Sequence, residues 1–412
     1  MQYEIITNCL LCNGHIDQVL SLPATPPANE LLTTKIKQDT FPLNLMLCND
    51  CGHLQLDTAV DLSRLFKHYL YKSNTSASNV RYFDQYATDM IKRFDLSSKD
   101  FVVDVASNDG LFLSSFQKQN IKVLGIDPAE NIAAAANDAG IPTLPEFFNI
   151  DVATRIAKEH GQASLITCNN MFAHNKDLTP IVLGVKELLK SNGSFVFEVA
   201  YAVDMMKANT FDLIYHEHIH HHRIVSLMNF FYKLGMRIYD VEHVPTHGGS
   251  IRVFVCHSNA EHNATKYGLR AFIWNETHSY DRIDHQYFNS LVSSFVKNTK
   301  SNITAMKTLL QGIHQSGKTI AVLGWPAKAT LMSYAYELEK YVSFVFDDND
   351  LKVGRFTPGK QLEVLPTSDV ANLKPDYLLI LAWNYAEPLM KTHREKGYAG
   401  KFIIPFPEPK IV

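Results

Sequence analysis

Phe101-Val102-Val103-Asp104-Val105-Ala106-Ser107-Asn108-Asp109-Gly110 decides how the middle of this chain folds. Its first half is apolar apart from one carboxylate, which suits a strand buried on both faces. Its second half is small and polar and ends in glycine, the composition of a tight loop. Leu111-Phe112-Leu113-Ser114-Ser115-Phe116 then begins a helix, and Val123-Leu124-Gly125-Ile126-Asp127-Pro128 is a second strand that again ends in a carboxylate. Beyond it come an alanine-rich helix over 132–139 closed by Gly140, a strand over 165–168, a helix over 181–189 and a strand over 194–199. Strands alternating with helices predict an α/β, doubly wound parallel sheet whose ligand sits at the strand carboxyl ends.

Asp127, at the end of the second strand, is placed to accept hydrogen bonds from the ribose hydroxyls of an adenosine-containing cofactor. Nicotinamide dinucleotides and S-adenosylmethionine both use that arrangement, and the preceding loop separates them. A dinucleotide fold uses G-x-G-x-x-G so that backbone amides reach the pyrophosphate. Residues 106–110 hold one glycine and keep Asp109, an anion that repels a pyrophosphate but tolerates a sulfonium and an ammonium. The expected cofactor is S-adenosylmethionine, met by Asp104, Ser107, Asn108, Asp109, Gly110 and Asp127.

Toward the C-terminus, Leu227, Phe230, Phe231 and Leu234 recur at helical spacing and predict a core-facing helix over 224–234. Strands over 237–244 and 251–257, joined by Pro245-Thr246-His247-Gly248-Gly249-Ser250, predict an antiparallel hairpin that closes the sheet. Residues 262–317 read as helical connection, with amphipathic stretches over 287–296 and 303–313. A second strand–loop–helix begins at Thr319, and the strand over 342–346 ends in Asp347-Asp348, echoing Asp127. This C-terminal part is a second nucleotide-type unit, in which Lys328 reads either as a phosphate contact or as a surface loop lysine.

Toward the N-terminus, Cys9-Leu10-Leu11-Cys12 and Cys48-Asn49-Asp50-Cys51 each present two thiolates on one tight turn. Four such ligands make a closed tetrahedral Zn²⁺ site that is structural, with no open coordination position. His15 and His53 nearby read as solvated loop histidines. The segment is small and proline-rich over 22–27, so metal binding, worth roughly 10–16 kcal/mol in zinc peptides, supplies stability that its core cannot. A redox dithiol fits less well, since neither pair follows a strand of a thioredoxin-like pattern. With 412 residues the chain exceeds one core. The expected domains are 1–70 for zinc, 71–260 for the cofactor and 261–412 for the substrate. A net charge of −3 gives no reason to expect nucleic acid or an anionic membrane as partner. No apolar run approaches the ~20 residues that span a bilayer, and Met1-Gln2-Tyr3-Glu4 begins no leader peptide, so a cytoplasmic protein is expected.

Histidines crowd Tyr215-His216-Glu217-His218-Ile219-His220-His221-His222. Three in succession cannot all face one ion on a helix, so His220, His221 and His222 read as satisfied polar residues at a domain seam. The four cysteines, Tyr69-Leu70-Tyr71-Lys72-Ser73, Ser107-Asn108-Asp109-Gly110, Phe147-Phe148, Asn169-Asn170-Met171-Phe172-Ala173-His174, Glu198-Val199-Ala200-Tyr201, Tyr215-His216-Glu217-His218, His247-Gly248-Gly249-Ser250-Ile251-Arg252, Gly324-Trp325-Pro326-Ala327-Lys328 and Ala382-Trp383-Asn384 run in order along nearly the full length. In that order they resemble the nucleotide-sugar C-methyltransferase family, whose members methylate C3 of dTDP-linked keto-deoxysugars. The resemblance implies a class I methyltransferase Rossmann-like middle domain and a second, Rossmann-like C-terminal domain toward which the sugar nucleotide binds. It extends the cofactor positions to Asn169 and Asn170, and implies substrate contacts at His174, Tyr201, His247, Gly248, Arg252 and Lys328. The chain departs from the family's pattern at Ala106 and Ala329, where glycine is usual, and at His220–His222, where aromatics are usual.

Methylating carbon needs a carbanion-like nucleophile, hence a base for the proton beside a ketone and a donor for the enolate oxygen. Histidine, with an ordinary pKa near ~6.5, suits the base. The expected base is His218, with Glu217 orienting or assisting it and Tyr215 and Tyr71 positioning the sugar or bonding the enolate oxygen. Two other classes stay open to the sequence: a nicotinamide-dependent oxidoreductase of a sugar nucleotide, disfavoured by the glycine-poor loop, and a non-catalytic sugar-nucleotide-binding protein.

Overall fold

The strand Phe101–Val105 lies inside a seven-stranded sheet of spatial order Met236–Val244, Ser250–His257, Leu189–Ala200, Ala163–Asn169, Phe101–Val105, Lys122–Ile126, Thr143–Leu144. The computed structural model describes residues 3–66, 77–262, 265, 268–279 and 285–412. Ser250–His257 runs antiparallel to both neighbours, so the hairpin closes the sheet as its sequence predicts. The alternation of side chains feeds two cores. Phe101, Val103, Val105, Ile166, Phe195 and Phe197 join one, while Val102, Leu165 and Val196 join another with Tyr86, Phe112 and Phe116. Burial on both faces is why these strands read as apolar runs. Helix Ile150–His160 starts cleanly because Asn149 accepts hydrogen bonds from the amides of Asp151 and Val152.

The C-terminal sheet has six strands, in the order Val364–Pro366, Val342–Asp347, Ile320–Leu323, Tyr377–Ile380, Lys401–Ile404, Lys410–Ile411, with the last antiparallel. The two amphipathic stretches expected before it are one helix, Gln286–Gln315. Phe288, Val292, Phe295, Thr299, Asn302, Met306, Leu310 and Ile313 make its buried stripe, three or four residues apart throughout. Of its two polar members, Thr299 donates to Asn209 Oδ1 at 3.3 Å, and Asn302 donates to the carbonyls of Pro405 and Pro407 and accepts from the Tyr336 hydroxyl, so neither is buried without a partner. The helix Gly268–Thr277, expected as connection, packs on the middle domain: Glu276 takes hydrogen bonds from the Arg223 side chain and the amides of Ile224 and Val225.

The N-terminal sheet combines Ile16–Thr25, Phe41–Cys48 and Leu54–Leu56 with a fourth strand, His220–His221, contributed by the middle of the chain. A domain boundary at residue 70 therefore divides this sheet, leaving its fourth strand with the middle domain. The connection from Thr25 to Phe41 leaves this sheet and lies on the C-terminal domain, where Leu32 bridges Phe356. No helix among the described residues is long and apolar enough to cross a membrane.

Candidate active site

Backbone turns bring the four cysteine sulfurs together. Asn13, at φ 64°, and Gly52, at φ 69°, close the two knuckles, and their amides donate to the carbonyls of Cys9 and Cys48. All four sulfurs lie within 4.8 Å of one another, with Cys9–Cys51 at 3.6 Å and Cys12–Cys48 at 3.5 Å. A tetrahedron with Zn–S of about 2.3 Å has edges of about 3.8 Å, so the cage fits zinc with little movement. Alone, the thiols conflict. The hydrogen bond from Cys51 pulls Cys9 down to about 5, while burial pushes Cys12 up to about 12. A dication among them removes the conflict by favouring every thiolate.

In the middle domain the loop after Phe101–Val105 is wound tightly, with Ala106 at φ 59°, Asn108 at φ 50° and Gly110 at φ 76°. A left-handed alanine costs roughly 1–2 kcal/mol, which is the strain a glycine at Ala106 would relieve. Asp127 holds this loop: Oδ2 accepts from the Asn108 amide at 2.9 Å and Oδ1 from the Ala129 amide at 3.0 Å. A carboxylate has about four acceptor positions, so it retains two for a ligand's hydroxyls. Burial raises Asp127 and pushes Asp104, to which Thr167 donates at 2.6 Å, up to about 7. Gly125 is required beneath the loop, since a Cβ there would stand 2.4 Å from Ser107 Oγ. Ser107 Oγ and both polar atoms of the Asn169 amide are buried with no partner among the described residues. Unmet donors and acceptors at the carboxyl ends of two adjacent strands are what a polar cofactor satisfies. Asn170, at φ 58°, turns the chain there, with its amide on the Glu198 carbonyl.

The histidine cassette is fixed by backbone as much as by side chains. Nδ1 of His218 is 2.9 Å from the Leu213 carbonyl, which can only accept, so Nδ1 carries the ring proton. Nε2 is therefore the acceptor, and the Tyr215 hydroxyl donates to it across 3.0 Å. His174 stacks on His218 at 5.2 Å between centroids, and Phe66 stacks on His174 at 5.4 Å. Leu213 thus does the orienting expected of Glu217. The Glu217 carboxyl instead accepts from the Asn29 side-chain amide at 2.8 Å, and among the described residues no hydrogen bond joins it to His218. Only 2% of Glu217 is exposed, and burial pushes its acid up to about 7. Tyr71 lies outside the described residues.

The expected substrate residues separate into two groups. His174 is in the cassette, and Gly248, at φ 88°, sits against Trp383 of the C-terminal domain, where a Cβ would lie 3.0 Å from the indole. His247 contributes its backbone to the short turn Thr246–Gly248. Tyr201 and Arg252 belong to the interior. The Tyr201 hydroxyl donates to buried Glu276, and Arg252 lies 3.5 Å over the Tyr86 ring while bonding Glu198, Glu242 and the Tyr82 hydroxyl. Each is engaged by a carboxylate far along the chain, Tyr201 by Glu276 and Arg252 by Glu198, which motif spacing does not reveal. Lys328 is neither a surface lysine nor a free phosphate contact. Its ammonium is 3.2 Å from Asp212, which is fully buried and also accepts from Trp383 Nε1 at 2.6 Å. Asp212 immediately precedes Leu213, so the C-terminal domain grips the backbone that orients His218.

His220, His221 and His222 do form a seam, and His53 joins it, but they are not fully satisfied: His53 Nδ1, His221 Nε2 and His222 Nδ1 are buried with no hydrogen-bond partner among the described residues. His53 is 0% exposed rather than solvated, its Nε2 2.9 Å from His220 Nδ1. His220 Nε2 donates to the Asn175 carbonyl and His222 Nε2 to the Phe172 carbonyl. Burial lowers all four rings, His222 to about 4 and His221 to about 3, so the seam is neutral near pH 7. His15, by contrast, is exposed beside Asp17 as expected.

Sequence reasoning missed Asn29, Asp212 and the Leu213 carbonyl, because none has a local signal and Asn29 is 188 positions from its partner. Three family models match the chain in succession: "Putative zinc binding domain" over residues 9–66, "Methyltransferase domain" over 80–241 and "C-methyltransferase C-terminal domain" over 245–407. The C-methyltransferase NovU of Streptomyces niveus is 33% identical over 414 residues, covering 99% of this chain and 97% of its own. An uncharacterized methyltransferase of Schizosaccharomyces pombe is 25% identical over 123 residues, covering 29% of this chain and 47% of its own. Among solved structures, magnesium protoporphyrin IX methyltransferase from Synechocystis PCC 6803 with bound SAH matches at 10% identity and a TM-score of 0.35, covering 46% of this chain and 90% of that one.

Proposed function

The chain belongs to the C-methyltransferase family, and from that premise we propose a substrate of the nucleotide-linked (dTDP-type) 4-keto-deoxysugar class, methylated at C3 after base-assisted enolate formation. It is an S-adenosylmethionine-dependent C-methyltransferase with an N-terminal zinc-binding domain. The cofactor supplies an electrophilic methyl group. In this reading Asp104, Ser107, Asn108, Asp109, Gly110, Asp127, Asn169 and Asn170 hold it. Thiolate ligation of zinc suits a reducing cytosol, where we place the reaction.

The Tyr215–His218 hydrogen bond carries the mechanism. Without substrate the tyrosine hydroxyl occupies Nε2 of His218. A ketone oxygen arriving beside it competes for that hydroxyl. Once Tyr215 donates to the ketone, Nε2 is released to take the proton from the adjacent carbon. One exchange of hydrogen-bond partner thereby both stabilises the developing oxyanion and exposes the base. The Leu213 carbonyl keeps the tautomer correct throughout, and Glu217, as a buried anion next in the chain, favours the imidazolium that results. Tyr71 is assigned to the same oxyanion.

The test is His218→Asn, followed by transfer of labelled methyl and by deuterium wash-in at the sugar carbon from D₂O. Loss of both activities is expected. A variant that still methylates a dTDP-linked 4-keto-6-deoxyhexose at the parental rate sinks the base assignment.

A further inference from the structure

The connection from Thr25 to Phe41 is far longer than the two to five residues common in a hairpin, and its contacts account for the length. It crosses from the zinc sheet to the C-terminal domain and returns. Four ties hold it there: Thr330 Oγ1 donates to the Ala28 carbonyl at 2.9 Å, Leu32 bridges Phe356, the Gly359 backbone amide donates to Gln38 Oε1 at 2.7 Å, and Gln361 Nε2 donates to the Ile36 carbonyl at 2.8 Å. Thr330 is buried at the start of the helix Ala329–Ala335, two positions after Lys328.

Asn29 directly follows the gripped Ala28, so the C-terminal helix fixes its backbone to within one residue. From there the Asn29 amide reaches the middle domain and donates to Glu217 Oε1 at 2.8 Å. Three domains thus meet across two consecutive residues. We propose that residues 26–38 are an interdomain strap through which the seating of the C-terminal domain sets the catalytic carboxylate, with Asn29 as the positioning residue for Glu217. This rests on the reading of Glu217 as part of the base cassette. In an apolar surround one donated hydrogen bond governs both where a carboxylate points and whether it is charged. A strap that slackens withdraws the donor, the acid takes up a proton, and the imidazolium at His218 loses its anion.

The experiment uses the full-length holoenzyme with S-adenosylmethionine and a dTDP-linked 4-keto-6-deoxyhexose as probe. Asn29→Ala is expected to lower kcat about 10–100-fold while leaving KM for the cofactor within about twofold. The acid limb of the kcat profile moves up by about one pH unit as Glu217 loses its donor. The remote double variant Thr330→Val/Gln38→Ala is expected to move the limb the same way, by less, without touching Glu217. Adding Asn29→Ala to Glu217→Gln costs little more than Glu217→Gln alone, because the two act as one unit. An unmoved limb in Asn29→Ala, losses that multiply, or a silent anchor variant overturns the strap. Should Asn29→Ala fail to fold, the anchor variant decides alone by the same limb. Activity retained by His218→Asn sinks the base reading instead. The strap is still read there, from the pH dependence of thermal stability in Asn29→Ala against parent, which needs no turnover.

Discussion

Tyr215 donates its hydroxyl hydrogen to Nε2 of His218 across 3.0 Å, a direction dictated by the Leu213 carbonyl on the ring's other nitrogen. An aromatic hydroxyl in that place is both a guard for the base and a ready donor for an oxyanion.

Tyr215→Phe should therefore lower kcat by about 10–100-fold, and His218→Asn by about 10²–10⁴-fold. The double variant should be no worse than His218→Asn, since the two side chains serve one step. Labelled-methyl transfer under saturating substrates measures all three. Multiplying losses would show that tyrosine and histidine work in separate steps.

Glu217 is held well above the ordinary carboxylate range by burial, at about 7 against 4.5. A raised carboxyl costs no stability below the unfolded value and its full cost above the folded one. Replacement by Gln, which still accepts from Asn29, should leave stability unchanged near pH 4.5 and raise it by about 3 kcal/mol near pH 8. Urea unfolding at the two pH values checks this. A gain that is equal at both would trace to packing, not to charge.

Asn169 keeps its amide buried without a hydrogen-bond partner among the described residues. Asn169→Ala should leave the apo protein's melting temperature unchanged or slightly raised, because an unsatisfied polar group is removed. Affinity for S-adenosylmethionine should fall roughly tenfold, a loss of about 1.4 kcal/mol, by titration calorimetry. Lost stability with unchanged affinity would remove Asn169 from the cofactor site.

Zinc should be present at one per chain, and Cys12→Ser should lose it. The melting temperature then drops by roughly 10 °C or more, given the large free energy of thiolate ligation. Methyl transfer should fall with it, because the sheet next to the metal carries His220 and His221, two and three positions from the base. Full activity in a metal-free variant would uncouple the two.

The sheet of the middle domain was legible because its strands are buried on both faces and write that burial as continuous apolar runs. The zinc cage was legible because both ligand pairs are local turns. Tyr215 and His218 were legible as the ends of a cassette four residues long. What escaped was held by partners distant in sequence. Nothing around Asn29 announces a buried acid far along the chain, and nothing around Arg252 or Tyr201 announces that Glu198 and Glu276 have already claimed them. His53 looked solvated because its loop is polar, yet the partner that buries it, His220, is 167 positions away. The long helix Gln286–Gln315 was read as two because Thr299 and Asn302 interrupt its apolar stripe, and their partners, Asn209 for the first and the carbonyls of Pro405 and Pro407 with the Tyr336 hydroxyl for the second, are distant in sequence.

The strand His220–His221 bears on how the chain comes off the ribosome. Synthesis completes three strands of the first sheet long before the fourth exists, and until residue 221 emerges Leu54–Leu56 presents an open edge. Cut at residue 70, the N-terminal segment keeps all four metal ligands but loses the strand that covers that edge. It is a module by sequence and a dependant by assembly, so transplanting it onto another enzyme would export its cysteines and leave its closure behind.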